Sequence, residues 1–257
     1  MSDLEIWLVN DDPAQLLVQK RLLGRFASTV WDFQSPTELM AQARTYGSCP
    51  NLVSDFHMPG MNGLELSQLW CQLHPNARIL LLSASRLSQT EQDEAAYLPS
   101  NRIKLLTNFR IPELLTVASG WFSHSPNSSD NSLEGLETSE PSSLRFFDSS
   151  MHAKLRLLGG DAFLKKALER FATRLPGRLE SFEAAVAAAD YASVHQQAHS
   201  LKGSCGVVGA TPMLESVDAL ESAAKDRETP ESLALKLNHL RALYEGTLAE
   251  LNEILAG

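Results

Sequence analysis

The stretch that decides the fold of the C-terminal half reads His199-Ser200-Leu201-Lys202-Gly203-Ser204-Cys205-Gly206. In a helix, which turns about 100° per residue, His199, Lys202, Gly203 and Gly206 share one stripe. Each glycine on that stripe costs the helix about 1 kcal/mol relative to alanine. We therefore predict an exposed face without side chains, over which another protein approaches the imidazole. A second stripe is an ordinary core face, formed by Val194, Ala198, Leu201, Cys205 and Val208.

The glycine-bearing stripe resembles the phosphoacceptor helix of histidine-containing phosphotransfer (HPt) domains, and the resemblance continues to Gly209-Ala210. It implies that His199 takes a phosphoryl group from one receiver aspartate and passes it to another. Neutral imidazole presents a nucleophilic nitrogen at cellular pH. The ammonium of Lys202, one turn on, can lie beside the phosphoryl oxygens. The alternative interpretation is a surface histidine on a glycine-containing helix, and we interpret His195 as a rim residue rather than a metal ligand.

Composition bounds the class of protein. With 257 residues, the chain is long enough for two modest domains, and its 44% hydrophobic and 21% charged residues are typical of a soluble globular protein. No apolar run approaches the roughly 20 residues that span a bilayer, so we expect no membrane insertion. The first residues are acidic and lack the basic start of a signal peptide, which predicts a cytoplasmic protein. The net charge is −9, and no segment is basic, so we expect no nucleic-acid binding.

Residues 4–122 alternate short apolar runs with amphipathic stretches, which is typical of an α/β domain with a parallel sheet. The pattern predicts five strands, at 4–9, 29–33, 51–54, 78–82 and 103–106. It predicts five helices, at 13–26, 36–46, 63–73, 89–98 and 111–121. The fourth helical region is unusually polar for this class of domain.

The rest of the chain divides into a tether and a helical domain. Eight serines among the 21 residues 123–143 indicate a flexible tether. From about Asp148 the pattern is wholly helical, with breaks at Gly159-Gly160 and a kink or helix start at Pro176. We predict a domain at 1–122, a linker at 123–147, and an up-and-down four-helix bundle at 148–257.

The N-terminal domain resembles the receiver domains of response regulators. The resemblance rests on Asp55 after the third strand, on the segment His57-Met58-Pro59-Gly60-Met61-Asn62-Gly63, and on Asp11 after the first strand. It implies a flavodoxin-like 2-1-3-4-5 sheet, with Asp55 as phosphoacceptor at the topological switch point. It also implies Mg²⁺ held by Asp11, Asp55 and the backbone carbonyl of His57. Ser83, at the end of the fourth strand, would contact the bound phosphoryl group.

The chain departs from the receiver pattern at several positions. Asn10 stands where the family has its first acidic residue, and Leu105 stands at the switch aromatic. Thr107-Asn108-Phe109 replaces the usual Lys-Pro pair, and Lys104 lies at the wrong end of its strand to substitute. These departures leave two interpretations open: phosphoryl transfer through Asp55, or a receiver that only docks partners. His57 follows the acceptor position closely enough to tune access to it, but we interpret its side chain as a loop group that points to solvent.

The combined pattern predicts an intermediate of a two-component phosphorelay, with phosphoryl groups on Asp55 and His199. No kinase core is visible, so the expected phosphate donor is a separate sensor histidine kinase of the hybrid type. The expected acceptor is a downstream response regulator receiver. In the alternative, the receiver is a degenerate docking module and only His199 carries phosphate. A phosphate sink, which hydrolyses the group, would use the same residues.

Overall fold

The computed structural model describes residues 4–46, 50–84, 87–107, 109, 111–122 and 145–256. The chain divides into two compact units, Met1–Gly135 and Leu136–Gly257. The predicted tether at 123–143 lies outside the described residues. Within the described residues, no helix is long and apolar enough to cross a membrane.

The N-terminal unit is a five-stranded parallel sheet with the order β2-β1-β3-β4-β5. Strands alternate with helices along the chain, as the sequence predicts. The strands are β1 Glu5–Val9, β2 Thr29–Phe33, β3 Asn51–Asp55, β4 Ile79–Ser83 and β5 Ile103–Thr107. The helices are α1 Pro13–Leu23, α2 Pro36–Ala43, α3 Gly63–Leu73, α4 Gln89–Ala96 and α5 Ile111–Phe122.

Burial of the sheet explains why apolar residues dominate the middle of its central strands. All five residues of β4 are buried, as are four of the five in β1 and in β3. One face packs Trp7 and Leu81 of the sheet against Leu39 of α2 and Trp70 of α3. This packing fixes the carboxyl ends of β1, β3 and β4 side by side, and the polar residues that follow these strands therefore meet at one edge.

The fourth helix differs from the others of this unit. Helix α4 has no buried residue, whereas α3 buries Leu64, Leu66 and Trp70 among others. Its first turn is closed by a capping box, in which Ser88 and Glu91 exchange side chain-to-backbone hydrogen bonds. The polar sequence of this region is therefore that of an exposed helix held mainly at its first turn.

The C-terminal unit is a bundle of four main helices, as predicted. They are α6 Ser149–Ala187, α7 Tyr191–Val208, α8 Thr211–Lys225 and α9 Pro230–Ala256. Helix α6 packs on α7 and α9, and α8 packs on the same two, so the four form a closed ring. The predicted core stripe of α7 is confirmed, because Val194, Ala198 and Cys205 are fully buried.

Helix α6 is interrupted where the two adjacent glycines predict a break. Gly160 has a φ of 76°, which lies in the left-handed region that favours glycine. Pro176 lies inside the helix, and its φ and ψ do not mark a second break. Before α6, the backbone N–H groups of Arg145 and Phe146 donate to the Glu250 carboxylate at 2.7 and 2.6 Å. Arg145 and Phe146 therefore pack with the C-terminal bundle, although they precede the predicted boundary at residue 148.

Candidate functional site

Asp55 ends β3 and is held against the sheet, with 6% of its surface exposed. Its Oδ1 accepts a hydrogen bond from the backbone N–H of Phe56 at 2.9 Å. The N-terminus of α3 lies directly on this strand end, because Gly63 has no side chain. A Cβ at Gly63 would lie 2.2 Å from the Asp55 carbonyl oxygen. The position of Asp55 is therefore restrained by the Phe56 N–H and by the close approach of α3.

Negative charge accumulates around Asp55. Burial raises the pKa of this carboxyl well above its ordinary value, and the charges of Asp11 and Asp12 raise it further. Hydrogen bonds from the backbone at Phe56 and His57 oppose the shift without cancelling it. A buried carboxyl whose pKa is raised by burial and by neighbouring carboxylates provides an environment in which a hard cation binds favourably.

The two acidic residues after β1 have different roles. Asp12 is buried and caps α1, since its Oδ1 accepts from the N–H groups of Ala14 and Gln15 at 3.0 and 2.9 Å. Asp12 is therefore the N-cap of α1. Asp11 is half-buried, and it is the charge that acts most strongly on Asp55.

Asn10 occupies the position at which the receiver pattern has an acidic residue. It is fully buried, and its Oδ1 accepts a hydrogen bond from the Asp12 N–H at 2.8 Å. Its side-chain amide nitrogen donates a hydrogen bond to Gln19 Oε1 at 3.3 Å. The side chain at this position therefore shapes the turn and braces α1, and it adds no charge to the cluster.

The predicted metal site uses two carboxylates and one carbonyl. Among the residues that the structure describes, no group of three or more His, Cys, Asp or Glu side chains could hold a metal ion. The electrostatic coupling of Asp11 to Asp55 does fit a divalent cation, because such an ion would relieve their mutual repulsion. Mg²⁺ at Asp11, Asp55 and the His57 carbonyl stays a prediction.

The carboxyl end of β4 supplies Ser83, and among the described residues no lysine lies at the carboxyl end of β4 or β5. Ser83 is fully buried at the end of β4 and pairs in register with Thr107, the last residue of β5. Asn108, which stands at the lysine position of the receiver pattern, lies outside the described residues. Lys104 lies at the other end of β5, 5.7 Å from the centre of the Trp121 ring.

The interpretation of His57 as a solvent-facing loop group is wrong. Its Nε2 lies 2.6 Å from Glu91 Oε1, and its side chain is 13% exposed. Burial raises the pKa of Glu91, but hydrogen bonds with His57 and Ser88 outweigh it and lower that pKa to about 2. The carboxylate therefore stays ionised, and the contact links the segment after Asp55 to the first turn of α4.

The prediction that the His199 imidazole is exposed is also wrong, because its side chain is 2% exposed. Helix α8 packs against α7, and Glu221 of α8 reaches the ring, with Oε1 2.9 Å from Nδ1. The glycine positions of the stripe are more open. Gly203 and Gly206 are half-buried, and a Cβ at Gly206 would meet nothing within 4 Å.

The contact with Glu221 selects one tautomer of His199. Burial raises the pKa of Glu221, but its hydrogen bonds and ion pairs with His199 and, to a smaller extent, with Lys202 outweigh the effect of burial. They lower the pKa of Glu221 to about 2. An ionised carboxylate can only accept a hydrogen bond, so Nδ1 of His199 carries the proton. The lone pair of the neutral ring then lies on Nε2, which is the nucleophilic nitrogen.

Lys202 is engaged with carboxylates of α8. Its Nζ forms an ion pair with Asp218 and lies 3.0 Å from Glu221 Oε2. Burial lowers the pKa of Lys202, but the two carboxylates outweigh it and raise that pKa above its usual value. One further ring lies nearby, since His195 stacks on His199 with 6.5 Å between ring centres.

The sequence reasoning missed Asp218 and the contact of Glu221, although a signal for both is present. His199 and Lys202 are three residues apart on α7, and Asp218 and Glu221 are three apart on the next helix. Residues three apart share a helix face. Two adjacent helices with matched basic and acidic pairs at that spacing predict the ion-pair cluster.

Comparisons with known proteins find two similarities, one in each half of the chain. The Hpt domain family matches residues 166–253, which run from the second part of α6 into α9. Part of the chain is similar to proteins described as DNA-binding transcriptional regulator NtrC. The Salmonella typhimurium protein is 31% identical over 100 residues, which is 37% of this chain and 21% of that protein. The Escherichia coli K12 protein is 30% identical over 99 residues, with the same coverage.

The chain therefore spans about a fifth of the length of the curated relatives that it matches. No solved structure matches it significantly. The parallel sheet with order β2-β1-β3-β4-β5 is the flavodoxin-like arrangement, and the helical unit contains the matched family segment. Residues 166–253 thus match the Hpt domain family, and an N-terminal region is similar to the receiver region of NtrC; both are domain types of two-component phosphorelays.

Proposed function

We propose that this protein is a phosphorelay intermediate that carries phosphoryl groups on Asp55 and on His199. The observation that carries the proposal is the buried contact between His199 Nδ1 and Glu221, because it leaves the nucleophilic lone pair on Nε2. A histidine that only packed in the core would not need an ionised carboxylate and an ammonium beside it. The Hpt domain match over the same helices supports the assignment.

At the first site, Asp55 accepts the phosphoryl group from a phosphohistidine. A carboxylate oxygen of Asp55 forms the new O–P bond as the N–P bond breaks, and the donor imidazole keeps the electron pair. Asp11, Asp55 and the His57 carbonyl would hold Mg²⁺, which neutralises charge between the nucleophile and the phosphoryl oxygens. Ser83, at the adjacent strand end, is the hydroxyl proposed to contact the phosphoryl group.

At the second site, His199 Nε2 forms an N–P bond as the O–P bond of an aspartyl phosphate breaks. The aspartate leaves as a carboxylate, and the proton on Nδ1 stays hydrogen-bonded to Glu221. Because the imidazole is 2% exposed, the donor must approach through the more open glycine stripe at Gly203 and Gly206.

The proposed partners are a sensor histidine kinase, of the hybrid type, and the receiver of a downstream response regulator. An Hpt domain implies phosphotransfer partners in two-component systems, and no kinase domain is identified in the chain. The relatives are named DNA-binding regulators, but the match with this chain covers only 21% of their length. With a net charge of −9 and no basic segment, we propose that its output is a phosphoryl group rather than DNA binding, and that it works in the cytoplasm.

A second candidate function is favoured by Asn10. Its side chain braces the turn after β1 and contributes no carboxylate to the cluster at Asp55. In this case the N-terminal domain only docks a kinase or an Hpt partner, and His199 alone carries phosphate. The two candidates differ in one chemical property, which is the reactivity of Asp55.

The test is the intact mass of the full chain after incubation with small phosphodonors. Wild type, Asp55→Asn and His199→Gln are treated with acetyl phosphate and Mg²⁺, and separately with phosphoramidate. We expect acetyl phosphate to add one phosphate to wild type and His199→Gln and none to Asp55→Asn. We expect phosphoramidate to add an acid-labile phosphate to Asp55→Asn. His195→Gln, introduced beside Asp55→Asn, is the matched control and should be labelled equally.

The outcomes separate the candidates. If acetyl phosphate labels a known receiver in parallel but adds no phosphate to this protein, phosphoryl transfer through Asp55 is contradicted. The docking function is then the one that applies to the N-terminal domain. No acid-labile phosphate on Asp55→Asn would contradict the assignment of His199 and with it both candidates.

A further inference from the structure

Asp218 lies on the exposed side of the His199 cluster, and no step proposed so far uses it. Its carboxylate forms an ion pair with Lys202, and its side chain is 54% exposed. The Lys202 side chain is 20% exposed and also contacts Glu221 at 3.0 Å. The ammonium that the sequence places beside the phosphoryl oxygens is therefore bound by two carboxylates of α8.

The balance of charge at this cluster is unfavourable for a phosphoryl group. One ammonium faces two carboxylates, and a phosphoryl group adds a further charge of about −1.5 to −2. Glu221 cannot release Lys202 easily, because it is 9% exposed and also holds His199. Asp218 is exposed, and its negative charge competes directly with the phosphoryl oxygens for the same ammonium.

We propose that Asp218 is a positioning residue that keeps Lys202 away from the phosphoryl group on His199, and so shortens the lifetime of the phosphohistidine. This inference rests on the proposed function of His199. When the phosphohistidine decays, water attacks phosphorus and the N–P bond breaks, with the electron pair returned to Nε2. Negative charge on the phosphoryl oxygens assists this expulsion, and a bound ammonium would withdraw that charge. Asp218 therefore favours an intermediate that gives up its phosphate readily.

A merely structural role for Asp218 has a different consequence. An exposed ion pair contributes little to folding, so the loss of Asp218 should leave the bundle folded. A structural role would also act on the lifetime independently of Lys202. The proposed role requires Lys202, because the effect of Asp218 passes through its ammonium.

The experiment uses the full chain with Asp55→Asn throughout, so that only nitrogen-bound phosphate is counted. The protein is labelled with phosphoramidate, the donor is removed, and the acid-labile phosphate is followed with time by intact mass. The variants are Asp218→Asn, Lys202→Ala and the two combined. Asp226→Asn, an exposed aspartate at the end of the same helix, is the matched control.

We expect Asp218→Asn to lengthen the lifetime about tenfold, which is typical for one added charge-assisted hydrogen bond. The control should change it less than twofold, and Asp218→Asn should have no effect when Lys202→Ala is present. An unchanged lifetime in Asp218→Asn, or an equal lengthening without Lys202, would overturn this inference and leave the proposed function intact. If the Asp55→Asn protein takes no label at all, the function of His199 fails, and the inference fails with it.

Discussion

Asp55 and His199 are both buried, with 6% and 2% of their surface exposed, but electric charge is balanced differently around them. The charges that shift Asp55 most are other carboxylates, those of Asp11 and Asp12. His199 lies in a cluster in which Glu221 and Asp218 face Lys202. We propose that the first site is completed by a cation from solution, whereas the second already contains both the carboxylates and the ammonium.

The largest expected difference between the sites is their response to chelation of divalent cations. EDTA should lower labelling of Asp55 by acetyl phosphate at least 10²–10³-fold, the range seen when one preorganised charge-stabilising group is lost. Labelling of His199 by phosphoramidate should change less than twofold. Intact mass measures both, with Asp11→Asn expected to mimic chelation. Equal labelling of Asp55 with and without EDTA would show that the comparison is mistaken.

The next largest effect is expected from Glu221→Ala. The truncation removes the carboxylate that accepts the Nδ1 proton of His199, so the ring is no longer held in one tautomer. Labelling of His199 should therefore slow about 10²-fold. It should also cost about 1–3 kcal/mol of stability, because a buried donor loses its acceptor. Glu221→Gln should restore part of the rate. Glu215→Ala, on the exposed side of the same helix, is the control, and a loss as large there would point to general damage to α8.

The buried charge at Asp55 predicts a gain of stability from its removal. A raised folded pKa means that stability is fully present below the ordinary carboxyl pKa of about 4 and is lost as pH rises through the folded value. Without Mg²⁺ at pH 7.5, Asp55→Asn should therefore raise the Tm of the N-terminal unit by several degrees, for a gain of about 1–2 kcal/mol. Calorimetry measures this, with the exposed Asp93→Asn as control. An unchanged or lower Tm would mean that the site tolerates the charge.

The smallest expected effect is the contribution of His152 to the pH dependence of folding stability. This contribution falls with decreasing pH, whereas that of Asp55 falls with increasing pH. Burial lowers the pKa of this histidine, which is 2% exposed, with Nε2 3.1 Å from the Val208 carbonyl oxygen. The unfolded chain then binds the proton more tightly. Stability should be full above the ordinary pKa of about 6.5 and fall by about 1 kcal/mol as pH drops through the folded value. Urea unfolding from pH 7.5 to 5 measures the loss. His152→Leu should flatten it, whereas the exposed His239→Gln should retain it.

Most of the fold could be predicted from the sequence because the apolar strand runs and the helical periodicity are both strong. The limits of β2 and α3 match the prediction residue for residue, at Thr29–Phe33 and Gly63–Leu73. Helices α1 and α2 end three residues earlier than predicted, since the local pattern continues into a turn. The break at Gly159-Gly160 was predictable because two adjacent glycines disfavour a helix on their own.

The sites were predicted less completely, because side-chain partners depend on tertiary packing. The contact that covers His199 joins it to Glu221, which lies 22 positions away in the sequence. The contact of His57 joins it to Glu91, which lies 34 positions away. Local periodicity describes one face of one helix, and it carries no information about which acidic residue of a neighbouring element reaches that face. The spacing of charges on successive helices is the part of this information that a sequence does contain.

The close contact of Gly63 with the backbone of Asp55 has a consequence for mutational tolerance. A Cβ at Gly63 would overlap the Asp55 carbonyl oxygen at 2.2 Å, so any other residue must push the strand end and the helix start apart. Position 63 should therefore accept no substitution in a library selected for phosphate acceptance, although it carries no reactive group. By contrast, Gly120, where a Cβ meets nothing within 4 Å, should vary freely in the same library. The geometry of the strand end at Asp55 thus depends partly on a residue eight positions away.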